Sequence, residues 1–396
     1  MNAVLLSLAL LGVEHGICYA VPGEMGWLAG EYKDMGATWV KFNPPGALWM
    51  TIQPEPHGLY QWDKLDKAVE GCLGAGLRPV IVIGPGNGWG TVKRGYGDSV
   101  SCPVQPQYAD QYAAYVRSIA QRYPQVRAWE VLTEAQHSGY WVGSAEEYAA
   151  LLRVTFAEVK EVDSDATVIL SGMYFWDLFD GGPLADDEIE RAIKRLSYKP
   201  WSDYRCWLGG QVRNALAFNR RILQEKDCYD AVEFHMLSSP SGILGTSAWI
   251  VQHMPEPKPV WIGDCAVSPP IPCSRITGWY ASRWATNVFA DPPFADGDVR
   301  WRVYTTGKTE CGLSHETVVA WHRQQQIYHV QQVMVEAERA GIAAIGWYTW
   351  LDADRFNQSD YALRKHWQVC GLRDRGSGRW PIGDKRPVYH VIQGTN

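Results

Sequence analysis

The sequence predicts an α/β fold, a single (β/α)8 barrel, and three observations support this. Short apolar segments alternate with amphipathic helical segments along most of the 396 residues. The alternation occurs eight times, and eight parallel strands are a number that closes into a barrel. No Pro/Ser-rich linker, low-complexity tract or internal repeat divides the chain. We therefore expect residues 1–396 to form one domain.

The predicted strands are apolar and short, and Gly, Pro or polar residues separate them from the helices. They cover residues 12–20, 36–44, 77–86, 126–134, 166–173, 231–238, 258–266 and 342–352. The predicted helices between them have apolar residues at helical spacing. They cover residues 29–35, 65–76, 108–124, 145–163, 209–227, 247–254 and 316–341. Strands that alternate with helices run parallel, because each helix crosses back to the start of the next strand.

Residues 266–312 interrupt this alternation after the seventh strand. They are rich in Pro and Trp and show little helical periodicity. Loops that follow the strands of a barrel lie on its C-terminal face. We expect this insertion to fold over that face.

Charge and hydropathy exclude two classes of partner. The net charge is −6, from 37 basic and 43 acidic residues, and no basic stripe predicts nucleic-acid binding. The longest apolar run, Ala3 to Val13, is too short to span a membrane. It also lacks a basic segment before it, since the first Lys or Arg is Lys33, so we interpret it as the lead-in to the first strand. Export is not supported by the chain itself, and a cytoplasmic location is slightly favoured.

Cysteine and tryptophan usage adds two expectations. The nine cysteines contain no Cys-x-x-Cys pair, which argues against a zinc site or a disulfide framework, although a local disulfide among Cys265, Cys273 and Cys311 stays open. The 20 tryptophans can fill a large core. Aromatic faces also stack on sugar rings, so the excess weakly favours a carbohydrate ligand.

Functional residues of a barrel enzyme lie at the C-terminal ends of its strands. The candidates near strand ends are Glu14, His15, Lys41, Asn43, Glu134, His235, Asp264, Trp347 and Trp350. Glu134 and Asp264 end the fourth and seventh strands, which face each other across a barrel of eight. Two facing carboxylates are what glycoside hydrolysis requires, because one protonates the leaving oxygen and the other attacks the anomeric carbon or activates water.

Carboxylates at these positions can also have other roles. The facing pair could instead hold a divalent metal, but no supporting ligands occur at metal spacing, so we predict no metal and no cofactor. Glu130 shares the inward strand face with Glu134. Because an unpaired buried charge is costly, we expect Glu130 to pair with a buried base.

Several segments, in order, resemble the clan A glycoside hydrolases, which are retaining (β/α)8 barrels. The resemblance covers nearly the whole chain. It is carried by "IQPEPHGLYQWDKLDKAVEGCLGAGLRPVIVIG", "WEVLTEAQ", "VEFHMLS", "KPVWIGDCA" and "GWYTWLDAD". The resemblance implies that Glu134 is the acid/base and that Asp264 occupies the nucleophile position. It also implies an oligosaccharide or polysaccharide substrate bound by Lys41, Asn43, Thr133, His235, Trp347 and Trp350.

This sequence departs from the clan pattern at three positions of the site. Thr133 replaces an Asn that contacts the sugar 2-hydroxyl, Leu237 replaces a Tyr, and Asp264 replaces the nucleophilic Glu. We predict a glycoside hydrolase, with retention favoured over an inverting reaction that uses Asp264 or Glu310 as base. The alternative is a catalytically altered or inactive barrel that still binds carbohydrate.

Overall fold

The fold is that of a computed structural model. The structure describes residues 13–20, 23, 25–42, 44–92, 100–175, 178–179, 181–197, 204–237, 240–267, 315–348, 373–375, 382–385 and 387–393.

The predicted (β/α)8 barrel is confirmed. Eight strands, β1 to β8, form a closed barrel in sequence order, and every neighbouring pair is parallel. They are Glu14–Ala20, Trp39–Phe42, Arg78–Ile83, Ala128–Thr133, Thr167–Tyr174, Ala231–Met236, Val260–Ala266 and Ala344–Tyr348. A separate antiparallel pair is formed by β9, Arg373–Arg375, and β10, Ile382–Lys385.

Helices surround the barrel and connect its strands. In chain order, α1 to α10 are Met25–Asp34, Trp49–Ile52, Asp63–Gly74, Ala109–Arg122, Ala145–Val162, Asp186–Ser197, Tyr204–Leu223, Gly242–His253, His315–Arg339 and Pro387–Gln393. Short 3-10 helices occur at Pro44–Ala47, Pro106–Tyr108 and Lys226–Cys228. Helices α2, α6 and α10 and the β9–β10 pair were not predicted from the sequence. The segments of α2, α10, β9 and β10 are too short to show a clear period, whereas α6 has apolar residues at helical spacing, at Ile189, Ala192, Ile193 and Leu196, and could have been predicted.

Helix α5 shows how local sequence holds the strand ends in place. It begins with a capping box, in which Ser144 accepts from the Glu147 amide and the Glu147 side chain accepts from the Ser144 amide. Tyr148, in the first turn, is fully buried. Its hydroxyl donates to the Val131 carbonyl on β4 at 2.7 Å and accepts from the Ser171 amide on β5 at 3.1 Å. The start of α5 therefore joins β4 and β5 near their C-terminal ends.

The lower part of the barrel interior is apolar. Its buried residues come from five strands and are Trp39, Val80, Ile169, Ala231 and Ala344. Gly16 and Gly346 make room for the Trp39 indole, since a Cβ atom at either position would contact the ring. This layer supports the polar residues that follow along the same strands.

Two residues placed near a strand end by the sequence analysis lie at the opposite end of the barrel. Glu14 and His15 begin β1 instead of ending it. Glu14 forms an exposed ion pair with Arg78, the first residue of β3. The expectation that these residues belong to the strand-end site is therefore wrong, because they lie at the N-terminal end of β1, away from the C-terminal strand ends where the charged residues meet.

Three further expectations concern the possible local disulfide, Glu310 and the insertion after β7. Cys265 is a buried free thiol, whereas Cys273, Cys311 and Glu310 lie outside the described residues. Ala266 is the last residue of β7, and the insertion from 268 onward is not described, so its position over the barrel stays a prediction. No helix in the described ranges combines the length and apolarity that a membrane crossing requires.

Candidate active site

Six ionisable side chains from four strands meet inside the barrel, above the apolar layer. They are Lys41 of β2, Glu130 of β4, Glu134 directly after β4, Glu233 and His235 of β6, and Asp264 of β7. We call this set the charged cluster. Each of its residues is at most 9 % exposed, so their charges interact in a medium that screens them less than water does.

Glu134 is aimed into the barrel by an unusual backbone. It has a φ of 43°, and Leu132 has a φ of 57°, both in the left-handed region that non-glycine residues seldom adopt. The Glu134 amide donates to the Gly172 carbonyl of β5 at 3.0 Å, and its carbonyl accepts from the His137 amide at 2.7 Å. The chain thus turns sharply at the end of β4 while remaining bonded to β5. Outliers of this kind concentrate at functional sites.

Lys41 is the cation at the centre of the charged cluster. Its ammonium lies 2.5 Å from Glu233 Oε1, 3.2 Å from Glu130 Oε2 and 3.3 Å from Asp264 Oδ1. The lysine is 1 % exposed, so its ammonium faces the barrel interior and not solvent. The expectation that Glu130 pairs with a buried base is confirmed.

His235 joins the two candidate catalytic carboxylates. Its Nδ1 lies 2.8 Å from Glu134 Oε1 and 3.6 Å from Asp264 Oδ2. On the other side of the ring, Nε2 lies 3.3 Å from Glu233 Oε1 and 3.5 Å from Thr133 Oγ1. The acids of β4 and β7 therefore approach the same nitrogen atom.

The two deepest acids have opposite protonation preferences although both contact Lys41. Burial, reinforced by the negative charge of Glu233, raises the pKa of Glu130 to about 8. Burial also opposes ionisation of Glu233, but Lys41 and His235 outweigh it and lower the pKa of Glu233. The difference follows from contacts. Glu233 accepts hydrogen bonds from two cationic groups, whereas Glu130 lies in ion-pair contact with Lys41 and accepts from the Gly172 amide at 3.2 Å.

Both bases of the charged cluster favour their protonated forms. Burial disfavours the charge of His235, but Asp264, Glu134 and Glu233 outweigh it and raise the pKa of His235 to about 10. Burial acts against Lys41 in the same way, and the carboxylates of Asp264, Glu130 and Glu233 more than compensate, so the pKa of Lys41 is raised. At neutral pH the cluster thus holds an ammonium and an imidazolium among four carboxyl groups.

Two inward-facing glycines provide the space that β6 side chains occupy. A Cβ atom at Gly172 of β5 would overlap the His235 ring, and one at Gly263 of β7 would overlap the Glu233 carboxylate. Both strands also change register beside these positions. The glycines therefore let Glu233 and His235 reach the centre of the barrel.

The structure does not bring Trp347 to the charged cluster. Its neighbour Gly346 faces the interior toward Trp39, so Trp347 points to the helix-facing side of β8. There it is fully buried in the main core and stacks on His15, with ring centroids 5.9 Å apart. Its position gives no support to the predicted substrate contact, because alternation along a strand places adjacent residues on opposite faces.

Of the remaining predicted substrate-binding residues, Thr133 is described by the structure, whereas Asn43 and Trp350 are not. Thr133 is buried beside His235.

Two members of the site were missed by sequence reasoning. Alternation along β6 places Glu233 on the same face as His235, and this signal could have identified it. Cys18 of β1 is buried, and its thiol donates to the Gly346 carbonyl at 3.5 Å. Burial, followed by the negative charge of Asp264, raises the pKa of this thiol well above its usual range.

A trio of possible metal ligands is also assembled, which the sequence analysis did not find. Glu130, Glu233 and His235 each offer one atom, and these atoms lie within 4.8 Å of one another. Their spacing along the chain is irregular because they come from two strands. The Lys41 ammonium contacts both carboxylates of the trio and supplies positive charge there.

Comparison with known proteins gives structural similarity without sequence similarity. No protein-family model matches the sequence, and no curated protein matches it. A family 39 glycoside hydrolase from the gut symbiont Bacteroides cellulosilyticus WH2 is 13% identical with a TM-score of 0.54, over 100% of this chain and 64% of that chain. The present chain thus spans less than two thirds of that protein's length.

Two further solved structures match over nearly their full lengths. A family 10 endoxylanase retrieved from a sugarcane soil metagenome is 13% identical with a TM-score of 0.53, over 97% of this chain and 98% of that chain. The endo-1,4-beta-xylanase of Caldicellulosiruptor owensensis is 12% identical with a TM-score of 0.55, over 99% of each chain. At these identities the comparisons show that the chain shares the barrel fold of these glycoside hydrolases.

Proposed function

We propose that this protein is a glycoside hydrolase that cleaves O-glycosidic bonds with two carboxylates, Glu134 and Asp264. The observation that carries the proposal is their convergence on His235 Nδ1, at 2.8 Å and 3.6 Å, from the C-terminal parts of two strands that are three positions apart in the barrel. This is the part of a barrel where catalytic residues are found. The fold shared with glycoside hydrolases is consistent with it.

The spacing of the carboxylates is compatible with a retaining reaction. Because Glu134 Oε1 and Asp264 Oδ2 both lie near Nδ1, at 2.8 Å and 3.6 Å, the two oxygens are less than about 6.5 Å apart, a limit that includes the roughly 5–5.5 Å separation of the carboxyl groups in retaining enzymes. Retaining enzymes need this shorter distance because no water has to fit between the sugar and the nucleophile.

In the proposed first step, Asp264 attacks the anomeric carbon while Glu134 transfers its proton to the leaving oxygen. The glycosidic bond breaks, and an ester bond forms between the sugar and Asp264. In the second step, Glu134 takes a proton from a water molecule that attacks the same carbon, and Asp264 leaves as a carboxylate. Lys41, 3.3 Å from Asp264, stabilises the carboxylate that is present at the start and at the end.

Xylan and xylo-oligosaccharides are the first substrates to test, because two of the similar structures are xylan-cleaving enzymes by name. The proposed substrate class is a polysaccharide or an oligosaccharide. The reaction itself requires no cofactor, since both proton transfer and nucleophilic attack are assigned to side chains.

The decisive measurement is proton NMR of the first-formed anomer, recorded before mutarotation, on a panel of xylo-oligosaccharides and aryl glycosides. A product with the substrate's anomeric configuration supports Asp264 as nucleophile. An inverted product would assign it, or Glu310, the role of base. Asp264→Ala should abolish hydrolysis in either case, so wild-type-like activity of this variant would move the second carboxylate elsewhere.

A sugar-binding barrel without catalysis is the second candidate. The observation that favours it is the confinement of Asp264, which is 3 % exposed and lies near both Lys41 and His235. The departures from the clan pattern at Thr133 and Leu237 also favour a barrel that binds sugar without cleaving it. Calorimetric binding of oligosaccharides with no turnover on the full panel would establish this candidate and reject the hydrolase.

A further inference from the structure

Glu233 is the least exposed acid of the charged cluster that contacts both of its bases. It is 0 % exposed, and its Oε1 atom accepts from Lys41 Nζ at 2.5 Å and from His235 Nε2 at 3.3 Å. The carboxylate occupies space that only a glycine at position 263 leaves open. A buried charge is costly, so its presence here requires the compensation that the two cations supply.

The two partners of Glu233 are the groups that contact the proposed catalytic acids. Lys41 reaches Asp264 at 3.3 Å, and His235 reaches Glu134 at 2.8 Å. We propose that Glu233 is a positioning residue of the site: it holds Lys41 against Asp264 and His235 against Glu134, through a single carboxylate oxygen. The expected effect of Glu233 on catalysis rests on the proposed function. The positioning of Lys41 and His235 by Glu233 does not depend on it.

The contact with Glu233 also selects how the imidazole is oriented. Because Nε2 donates its proton to Glu233, Nδ1 is the nitrogen that faces Glu134 and Asp264. A carboxylate serves here because one anionic oxygen can accept from two cationic donors, and charge-assisted hydrogen bonds are about twice as strong as neutral ones. A neutral amide at this position would keep the shape and lose the charge.

The titratable groups around the His235 ring are the other members of the charged cluster and the Cys18 thiol. Glu134 and Asp264 face Nδ1, and Glu233 faces Nε2. Lys41 and Glu130 lie behind Glu233, and the Cys18 thiol lies near Asp264. Of these, Glu233 is the acid that contacts the ring without being one of the two proposed catalytic carboxylates.

The test is Glu233→Gln, which preserves the side-chain volume, compared with Glu130→Gln as a matched control. Both variants remove a buried carboxylate that contacts Lys41, but only Glu233 bonds His235. We measure the titration of His235 by nitrogen-15 NMR in the free protein, without substrate. Glu233→Gln should lower the pKa of His235 by about 1–3 units, as expected for the loss of an adjacent opposite charge, and Glu130→Gln should lower it less.

The catalytic part is read from kinetics on the substrate identified by the panel. Glu233→Gln should lower kcat by about 10²-fold with little change in KM, because misplaced catalytic groups cost rate more than binding. The alkaline limb of its pH profile should move to lower pH. If the protein proves to have no glycosidase activity, the NMR titration still decides whether Glu233 positions His235.

Two results would overturn the proposal. An equal effect of both variants on His235 would show a general charge effect of the barrel interior. In the wild-type protein, a neutral His235 at pH 7 with its proton on Nδ1 alone would exclude donation from Nε2 to Glu233. The second measurement needs no variant, so it remains decisive if Glu233→Gln does not fold.

Discussion

Glu134 acquires its position from a backbone that departs from the strand before it. A regular continuation of β4 would alternate its side chains, and the left-handed residues Leu132 and Glu134 break that alternation. The turn places the carboxylate 2.8 Å from the Nδ1 atom of His235. The strained conformation is maintained by the hydrogen bond from the Glu134 amide to Gly172.

Glu134→Gln tests the proposed acid. The amide cannot protonate a leaving oxygen, so turnover of unactivated xylo-oligosaccharides should fall by about 10²–10⁴-fold. Aryl glycosides with good leaving groups need less protonation and should lose less in their first step. Equal losses on both substrate types would assign Glu134 another role. Glu146→Gln, an exposed acid on α5 paired with Arg221, is the control that should retain activity.

At the scale of elements, the site depends on strands that are adjacent in space and distant in sequence. Strands β4, β5, β6 and β7 are consecutive in the barrel, and register shifts occur between β5 and β6 and between β6 and β7. Gly172 and Gly263 lie at these irregular positions and face the side chains of β6. The two glycines and the register shifts together decide how close His235 and Glu233 come to the acids.

Gly172→Ala tests this arrangement. The added methyl group would overlap His235 Nε2 and would lie 2.9 Å from Glu233 Oε1, so the ring must move. We expect the unfolding free energy to fall by about 1–3 kcal/mol, as in other overpacked interiors, and catalysis to fall with it. Urea unfolding measures the first effect.

The control for this substitution is Gly30→Ala in α1, where a Cβ atom would have no neighbour within 4 Å. Alanine is a better helix former than glycine by about 1 kcal/mol, so this variant should be as stable as the wild type or more stable. A Gly172→Ala protein with wild-type stability and wild-type His235 titration would contradict the close packing of β5 against β6.

Over the whole molecule, apolar and charged side chains occupy different levels along the barrel axis. The apolar layer around Trp39 lies below, and the charged cluster lies above it. Six of the tryptophans, Trp39, Trp49, Trp129, Trp141, Trp249 and Trp347, are buried, so these six fill the interior. Because the ionisable groups of the charged cluster are buried in the folded protein, their protonation is linked to the free energy of unfolding.

Stability should decrease as the pH rises above neutrality. The folded protein holds the Glu130 proton up to a pKa of about 8, whereas an ordinary glutamate releases it near 4.5. It also holds the His235 proton up to about 10, against an ordinary 6.5. Both groups add stability below their ordinary pKa values, and this contribution is lost as pH rises through their folded values. Glu233, with a lowered pKa, contributes a constant amount in this range.

Denaturant unfolding between pH 6 and 10 measures this dependence. Glu130→Gln should flatten the decrease below about pH 8 and leave the decrease toward pH 10, to which His235 and, above about pH 9, the buried thiols of Cys18, Cys72 and Cys265 contribute. Glu146→Gln should not alter the slope, because the pKa of this exposed acid is lowered by Arg221 and its ionisation is complete below this range. A stability that rises with pH over the same interval would refute the assigned protonation states.

The sequence by itself determined the barrel, its eight strands and the two acids at the ends of β4 and β7. These features are carried by local patterns, namely apolar periodicity and strand-end motifs, that need no knowledge of distant contacts. The same patterns did not identify Glu14 and His15 as the beginning of β1, although both lie near the start of the strand predicted at 12–20.

Only the tertiary structure decided which side chains meet. The distances from Lys41 to three acids, the bridging position of His235 and the importance of Glu233 depend on strand register and on the space left by Gly172 and Gly263. Trp347 was assigned to the site by its place in a motif, but the facing direction of β8 buries it on the other side of the strand. Protonation, too, is decided at this level, because burial and neighbouring charges act through space and not along the chain.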